Sequence, residues 1–142
     1  MTITVLFLML FSICSAPTWT WAYIDRAEPI QPYEKLWKAV CYVESRNDAN
    51  AYHLEKNGCM SIGIVQIQQS RIDDYNRRTD SKYLLMDMYD TVKAKAVFMH
   101  YAGKYQTWQL EEIARKWNGG EPNGMKFKAT LRYWDEVKKY LQ

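Results

Sequence analysis

The chain has 142 residues, of which 48% are hydrophobic, and these values predict one domain with a buried core. The formal net charge is only +3 and basic and acidic residues are interspersed, which argues against a nucleic-acid-binding surface. The two histidines, His53 and His100, do not belong to a ligand-spaced cluster. We therefore expect no metal site, no cofactor and no nucleic-acid partner.

The first 22 residues predict a secretory signal peptide. An apolar run extends from Ile3 to Ile13, and small side chains at Thr20 and Ala22 suit cleavage after Ala22. The run is too short to span a bilayer comfortably, so no stable membrane insertion is expected after its removal. Residues 23–142 are then the mature domain, and its predicted location is the periplasm or the extracellular space.

Export affects the interpretation of Cys41 and Cys59, the two cysteines that follow the predicted cleavage point. An oxidising compartment allows a disulfide between them, which would stabilise the fold by about 3 kcal/mol. The alternative is a pair of buried free thiols, and the residues leave both interpretations open.

The first predicted helix extends from Tyr33 to Ser45. Leu36, Val40 and Val43 recur at helical spacing and predict one buried stripe. Glu44 follows at the edge of that stripe, near the end of the helix. A carboxylate in this position is partly desolvated, so we expect a raised pKa and a protonated group near neutral pH.

A polar loop is predicted from Arg46 to Gly58, and a short strand or hairpin arm from Cys59 to Ile67. Gly63 permits a tight backbone approach or a positive φ. Gln66 carries donors and acceptors suited to an N-acetyl group or a sugar hydroxyl. The alternative for Gln66 is a structural amide that caps the following turn.

The rest of the chain predicts further helices. Ser70 is the expected N-cap of a helix that ends at Arg78. Asp90 is the expected N-cap of a second helix over residues 91–102, and Gly103 is its expected C′ residue. The apolar side of this last helix is predicted to hold Val92, Ala96 and Met99.

Two more helices complete the prediction. One starts at Thr107, ends at the turn Asn118-Gly119-Gly120, and has its apolar residues at i, i+3, i+4 and i+7: Leu110, Ile113, Ala114 and Trp117. The last runs from about Met125 to Leu141, with four residues expected to face inward: Phe127, Leu131, Trp134 and Leu141.

Four short motifs follow one another in the chain: Glu44-Ser45, Asn50-Ala51, Gly63-Ile64-Val65-Gln66 and Asn118-Gly119. In this order they resemble the soluble lytic transglycosylases of the lysozyme-like family. The resemblance implies a mainly α (α+β) lysozyme-like domain with a small β element beside the end of the catalytic helix. It also implies that Glu44 is catalytic.

The same resemblance implies a set of substrate-binding residues: Ser45, Ser61, Gly63, Gln66, Trp117 and Asn118. The sequence departs from the family pattern at one of these positions and at His53 in the loop after Glu44. Trp117 stands where the family has tyrosine, and it is either a sugar platform or part of the inner face of its helix. His53 stands where a serine is usual, and Ser61 is the hypothesised source of the missing hydroxyl.

The activity implied is cleavage of the β-1,4 bond between N-acetylmuramic acid and N-acetylglucosamine in peptidoglycan by a single glutamate, leaving 1,6-anhydro ends. One alternative is a muramidase that uses water, with Asp48 or Glu55 as a second carboxylate. Another is a non-catalytic wall-binding subunit of a trans-envelope complex. The expected partners are peptidoglycan strands, bound by a monomer that acts alone or beside such a complex.

Overall fold

The computed structural model describes residues 33–55, 58–105, 107 and 109–141. The predicted signal peptide at residues 1–22 lies outside these ranges and stays a prediction. Among the described helices, none is both long enough and apolar enough to cross a bilayer.

Helix α1, Glu34–Ser45, confirms the first predicted helix. Leu36 and Val40 are fully buried, and Val43 packs against the core as expected. The helix ends where Arg46 adopts a left-handed conformation, with φ 57°, and its N–H donates to the Tyr42 carbonyl at 3.0 Å. Glu44 therefore lies in the last turn, beside the loop that leads into the sheet.

A small antiparallel sheet follows, in the order β1-β2-β3: Tyr52–Leu54, Met60–Ile62 and Ile67–Gln68. This corrects two predictions, because the polar loop contains β1 and residues 59–67 form two strands joined by a turn. All three β1 residues are exposed, and three residues are too few for a period-2 pattern to stand out within a polar segment.

The described chain continues with four α-helices and three 3₁₀ turns. The α-helices are α2 Gln69–Thr79, α3 Thr91–Lys104, α4 Leu110–Gly119 and α5 Lys128–Val137. The 3₁₀ turns are Leu85–Tyr89, Gly124–Lys126 and Lys138–Tyr140. Together with the sheet they form a mostly helical α+β fold, which confirms the predicted fold class.

The predicted helix ends have mixed outcomes. Asp90 is the N-cap of α3, since its Oδ1 accepts from the N–H groups of Val92 at 2.8 Å and Lys93 at 3.3 Å. Ser70 is not an N-cap, because α2 already begins at Gln69 after an extended Gln68. Gly103 lies inside α3 rather than after it.

The buried faces of α3 and α5 differ in part from prediction, although Met99, Trp134 and Leu141 pack against the core as predicted. Val92 is 77% exposed, and α3 instead buries residues of the adjacent face, including Val97 and Phe98. Phe127 and Leu131 are also exposed, at 49% and 44%. Helix α5 instead turns the small polar residue Thr130 inward, because close packing can override hydrophobic patterning.

Helices α4 and α5 approach closely through Gly119 and Thr130. A Cβ at Gly119 would lie 2.5 Å from the Thr130 Cγ2 atom, so glycine is needed for this contact. Thr130 is 2% exposed, and its hydroxyl donates to the Gly124 carbonyl at 2.6 Å. The buried hydroxyl is thus satisfied, and α5 lies close enough for its Tyr133 to reach the end of α1.

No disulfide joins Cys41 and Cys59. Cys41 is 2% exposed within the core, and burial raises the pKa of its thiol to about 12. Cys59 is exposed just before β2, so the predicted alternative of two buried thiols holds for Cys41 alone.

Candidate active site

A cleft of about 820 Å³ opens between the end of α1, the sheet, α2 and the ends of α3 and α4. Its lining is rich in ionisable and amide side chains. Those used below are Glu44, His53, Glu55, Ser61, Gln66, Arg71, Asp74, Arg78, Tyr101, Lys104, Tyr105, Trp117, Asn118 and Glu121.

Glu44 is the half-buried carboxyl of this cleft. Its Oε1 accepts a hydrogen bond of 2.7 Å from the Tyr133 hydroxyl on α5. Burial raises the pKa of Glu44 from 4.5 to about 7, while the Tyr133 hydrogen bond and the charge of Arg71 act in the opposite direction. Desolvation therefore dominates, and a large fraction of Glu44 is protonated at neutral pH.

Ser45 and Gly63 hold the site together without lining the cleft. The Ser45 hydroxyl lies 2.8 Å from the Ile64 carbonyl and 3.2 Å from the Cys41 carbonyl, which links the end of α1 to the β2–β3 turn. Gly63 has φ 76°, and a Cβ there would lie 2.1 Å from the Met88 carbonyl oxygen. Both residues make contacts within the fold, and their predicted roles in substrate binding stay predictions.

Gln66 and Ser61 do line the cleft. The Gln66 amide nitrogen donates to the carbonyls of Gly63 at 2.9 Å and Ala51 at 3.3 Å, as expected for a structural amide. Ser61 is 5% exposed, and its hydroxyl accepts from the Gln68 amide at 3.1 Å. Their contribution to substrate binding stays a prediction.

Trp117 and Asn118, at the end of α4, also line the cleft. Trp117 is 4% exposed, and its ring packs edge-on against Phe98 at 5.0 Å between centroids. The guanidinium of Arg71 lies 4.2 Å from the centre of the Trp117 ring. Trp117 thus packs on the inner face of α4 with little exposed area, yet it borders the cleft, and its role as a sugar platform stays a prediction. Asn118 is exposed and stays a candidate for binding.

The structure separates the two candidate second carboxylates. Glu55 lines the cleft with Glu44, and its side chain is 43% exposed and 3.9 Å from His53 Nε2. Asp48 is exposed, does not line the cleft, and accepts from the Asn50 N–H at 2.8 Å. Only Glu55 of this pair faces the same space as Glu44.

Two important side chains of the site have no counterpart in the sequence predictions. Tyr133 is separated from Glu44 by 89 positions, and no motif marks it. Arg71 lies in α2, most of whose residues are polar, and its Nη2 donates to the Trp117 carbonyl at 2.7 Å. Within the described ranges, no group of His, Cys, Asp and Glu side chains is arranged to hold a metal ion.

Solved structures of lysozymes and of a lysozyme complex are similar to the described fold. Tapes japonica lysozyme matches with a TM-score of 0.61 and 27% identity over 75% of this chain and 88% of that chain. A chain from the complex of Aeromonas hydrophila PliI with Meretrix lusoria lysozyme matches with a TM-score of 0.62 and 23% identity over the same shares. No protein-family model and no curated protein matches by sequence. The fold is therefore lysozyme-like. These similarities support the lysozyme-like part of the predicted resemblance and do not test membership of the lytic transglycosylases.

Proposed function

We propose that this protein is a lysozyme-type glycosidase that cleaves the β-1,4 bond between N-acetylmuramic acid and N-acetylglucosamine in peptidoglycan. The observation that carries the proposal is the half-buried Glu44, which lines an open polar cleft and has a pKa of about 7. The similarity to Tapes japonica lysozyme supports the same reaction class.

Glu44 is the proposed general acid. Protonated near neutral pH, it donates its proton to the bridging oxygen as the glycosidic bond breaks. The Tyr133 hydroxyl then donates to the newly formed carboxylate and stabilises it, since this hydrogen bond favours the charged form.

Glu55 is the proposed second carboxylate, and its position favours hydrolysis. A glycosidase of the two-carboxylate type needs a group that meets the developing positive charge at the anomeric carbon or activates a water molecule. Glu55 lines the same cleft and is more exposed than Glu44, as an ionised partner requires. Asp48 is dropped from this role because it lies outside the cleft.

The lytic transglycosylase reaction is the second candidate. It is favoured by the raised pKa of Glu44, which leaves one carboxyl able both to donate a proton and to take one back. Glu44 would then recover a proton from the muramyl 6-hydroxyl, which attacks its own C1 and closes a 1,6-anhydro ring.

Mass spectrometry of the muropeptides released by wild-type protein distinguishes the two reactions. We expect reducing ends, and Glu55→Gln should lower the rate by about 100-fold or more. Asp48→Asn is the matched control and should leave the rate unchanged.

Other results point elsewhere. Anhydro ends with an active Glu55→Gln variant would favour the transglycosylase. Peptidoglycan binding by the wild-type protein without any soluble product would contradict both reactions and favour the wall-binding subunit.

The proposed substrate lies outside the cytoplasmic membrane. Export by the predicted signal peptide and action in the periplasm or outside the cell therefore belong to the same proposal. The protein would act on glycan strands as a monomer, alone or beside a trans-envelope complex.

A further inference from the structure

Most of the charge in the cleft is internally compensated. Arg78 Nε lies 2.7 Å from Asp74 Oδ2, and Lys104 forms an ion pair with Glu121. These two cations are therefore already bound to carboxylates of the protein, and they have little unbalanced charge to offer a ligand.

Arg71 differs from both. It also lines the cleft, yet among the described residues no carboxylate forms an ion pair with it. Its guanidinium lies over two aromatic rings, 4.2 Å from the centre of Trp117 and 4.9 Å from that of Tyr101. The rings and the Trp117 carbonyl fix the group without neutralising its charge.

The guanidinium keeps hydrogen-bonding capacity for a ligand. It has five N–H donors in one plane. One donates to the Trp117 carbonyl at 2.7 Å, and a further contact reaches the hydroxyl of Tyr105. A planar cation that is half-buried on aromatic rings and retains donors is suited to a carboxylate, which it can bind through two parallel hydrogen bonds.

We propose that Arg71 binds a carboxylate carried by the muramyl residue of the substrate and thereby selects acidic glycans over neutral ones. The inference rests on the proposed function, because it assigns a substrate group to the cleft of Glu44. Two sources share this chemistry: the lactyl group of a strand without peptides, and the first residues of an attached stem peptide.

A different role for Arg71 is purely electrostatic. Its charge lowers the pKa of Glu44, so its removal would move the pH profile of the reaction upward for every substrate. A loss of affinity that is confined to acidic glycans is expected only if Arg71 binds the carboxylate directly. This difference distinguishes the two roles.

The test measures binding rather than turnover, so that it does not depend on activity. A Glu44→Gln protein is titrated by calorimetry with four glycans of matched length. These are a neutral chitooligosaccharide, a peptide-free muramyl strand, the same strand with its lactyl carboxyl converted to an amide, and a strand with stem peptides.

We expect the free-carboxylate strand, the peptide-bearing strand or both to bind more tightly than the chitooligosaccharide. Adding Arg71→Gln should weaken that binding by about 10-fold to 100-fold and leave the neutral ligands unaffected. The stronger of the two acidic ligands identifies the source of the carboxylate. Arg71→Lys keeps the charge above the rings and should retain part of the preference.

Arg132→Gln is the matched control, since Arg132 is exposed on α5 and does not line the cleft. It should change none of the affinities. The proposal would be overturned if folded Arg71→Gln protein lost affinity equally for acidic and neutral glycans. It would also be overturned if the variant lost affinity for neither. Absence of cleavage by the wild-type protein would instead overturn the proposed function and leave this binding result interpretable.

Discussion

Two carboxyl groups of the cleft, Glu44 and Asp74, have the same kind of neighbour but opposite shifts in pKa. Each accepts a 2.7 Å hydrogen bond from a tyrosine hydroxyl, Glu44 from Tyr133 and Asp74 from Tyr101. The pKa of Glu44 is raised to about 7 by burial, whereas the pKa of Asp74 is held well below its usual range, chiefly by its hydrogen bond from Arg78.

The difference shows that the tyrosine does not decide the charge of either group. Asp74 has two arginines, Arg77 and Arg78, bound directly to its oxygens, whereas Arg71 reaches Glu44 only through its field. A paired carboxylate stays ionised and supports the fold, while a desolvated one without a bound cation keeps a proton to donate. One cleft thus holds an ion-paired carboxylate, Asp74, and the proposed general acid, Glu44.

The largest expected effect comes from removing the reactive carboxyl. Glu44→Gln should lower the cleavage of peptidoglycan by roughly 1,000-fold, because the amide cannot donate the proton that the leaving oxygen requires. Release of soluble muropeptides measures the rate, and circular dichroism checks the fold. Asp48→Asn, an exposed carboxylate outside the cleft, is the control, and wild-type activity in Glu44→Gln would remove Glu44 from its role.

The free energy of unfolding should show the cost of ionising Glu44 in its desolvated position. Its pKa is higher in the folded protein than the ordinary value of 4.5, so the folded state binds more protons between pH 4.5 and about 7. The free energy of unfolding should therefore fall across this window, by roughly 3 kcal/mol in total. Urea titrations at several pH values measure the slope.

Glu44→Gln is also the control for this slope. The variant lacks the titrating group, so its stability should vary less across the window and exceed that of the wild type above about pH 7. A wild-type slope unchanged in the variant would place the titration elsewhere.

A smaller effect is expected from Tyr133→Phe. The lost hydrogen bond stabilises the ionised form of Glu44, so its pKa should rise further and the alkaline limb of the pH–rate profile should move upward by about one unit. Tyr140→Phe, which changes a partly exposed tyrosine of the 3₁₀ turn after α5, is the control. An unshifted limb would mean that the hydroxyl does not act on the reactive carboxyl.

The smallest effect concerns the structural carboxyl. Asp74→Asn should lower the free energy of unfolding at neutral pH by about 1 kcal/mol, since the ion pairs are partly exposed and screened by solvent. Because the folded pKa of Asp74 is depressed, the wild type should lose the same stabilisation as the pH falls below about 3.8. Asp73→Asn on the same helix is the control, and an equal loss there would deny Asp74 a special role.

The parts of the site that follow from local chemistry were predictable. Asp90 lies directly before a helical segment and caps it, and Glu44 lies beside an apolar stripe and is desolvated as expected. Both outcomes depend on residues within a few positions of each other.

The parts that depend on tertiary packing were not. Tyr133 reaches Glu44 only because Gly119 and Thr130 let α4 and α5 approach closely, and neither residue is apolar enough to suggest an inward face. Arg71 resembles any charge on a polar helix until α2 packs near Trp117. Strand β1 escaped detection for a similar reason, since its side chains are exposed on both faces.

The close approach at Gly63 has a practical consequence for genetics. Its turn touches the backbone of the 3₁₀ segment at Met88 and, through Ile64, the Ser45 hydroxyl at the end of α1. Any larger residue at position 63 pushes these three segments apart and displaces the glutamate from a distance. We therefore expect screens for inactive mutants to recover substitutions of Gly63 as readily as substitutions of Glu44. The yield of folded protein should distinguish them, because only the substitutions of Gly63 disturb the packing.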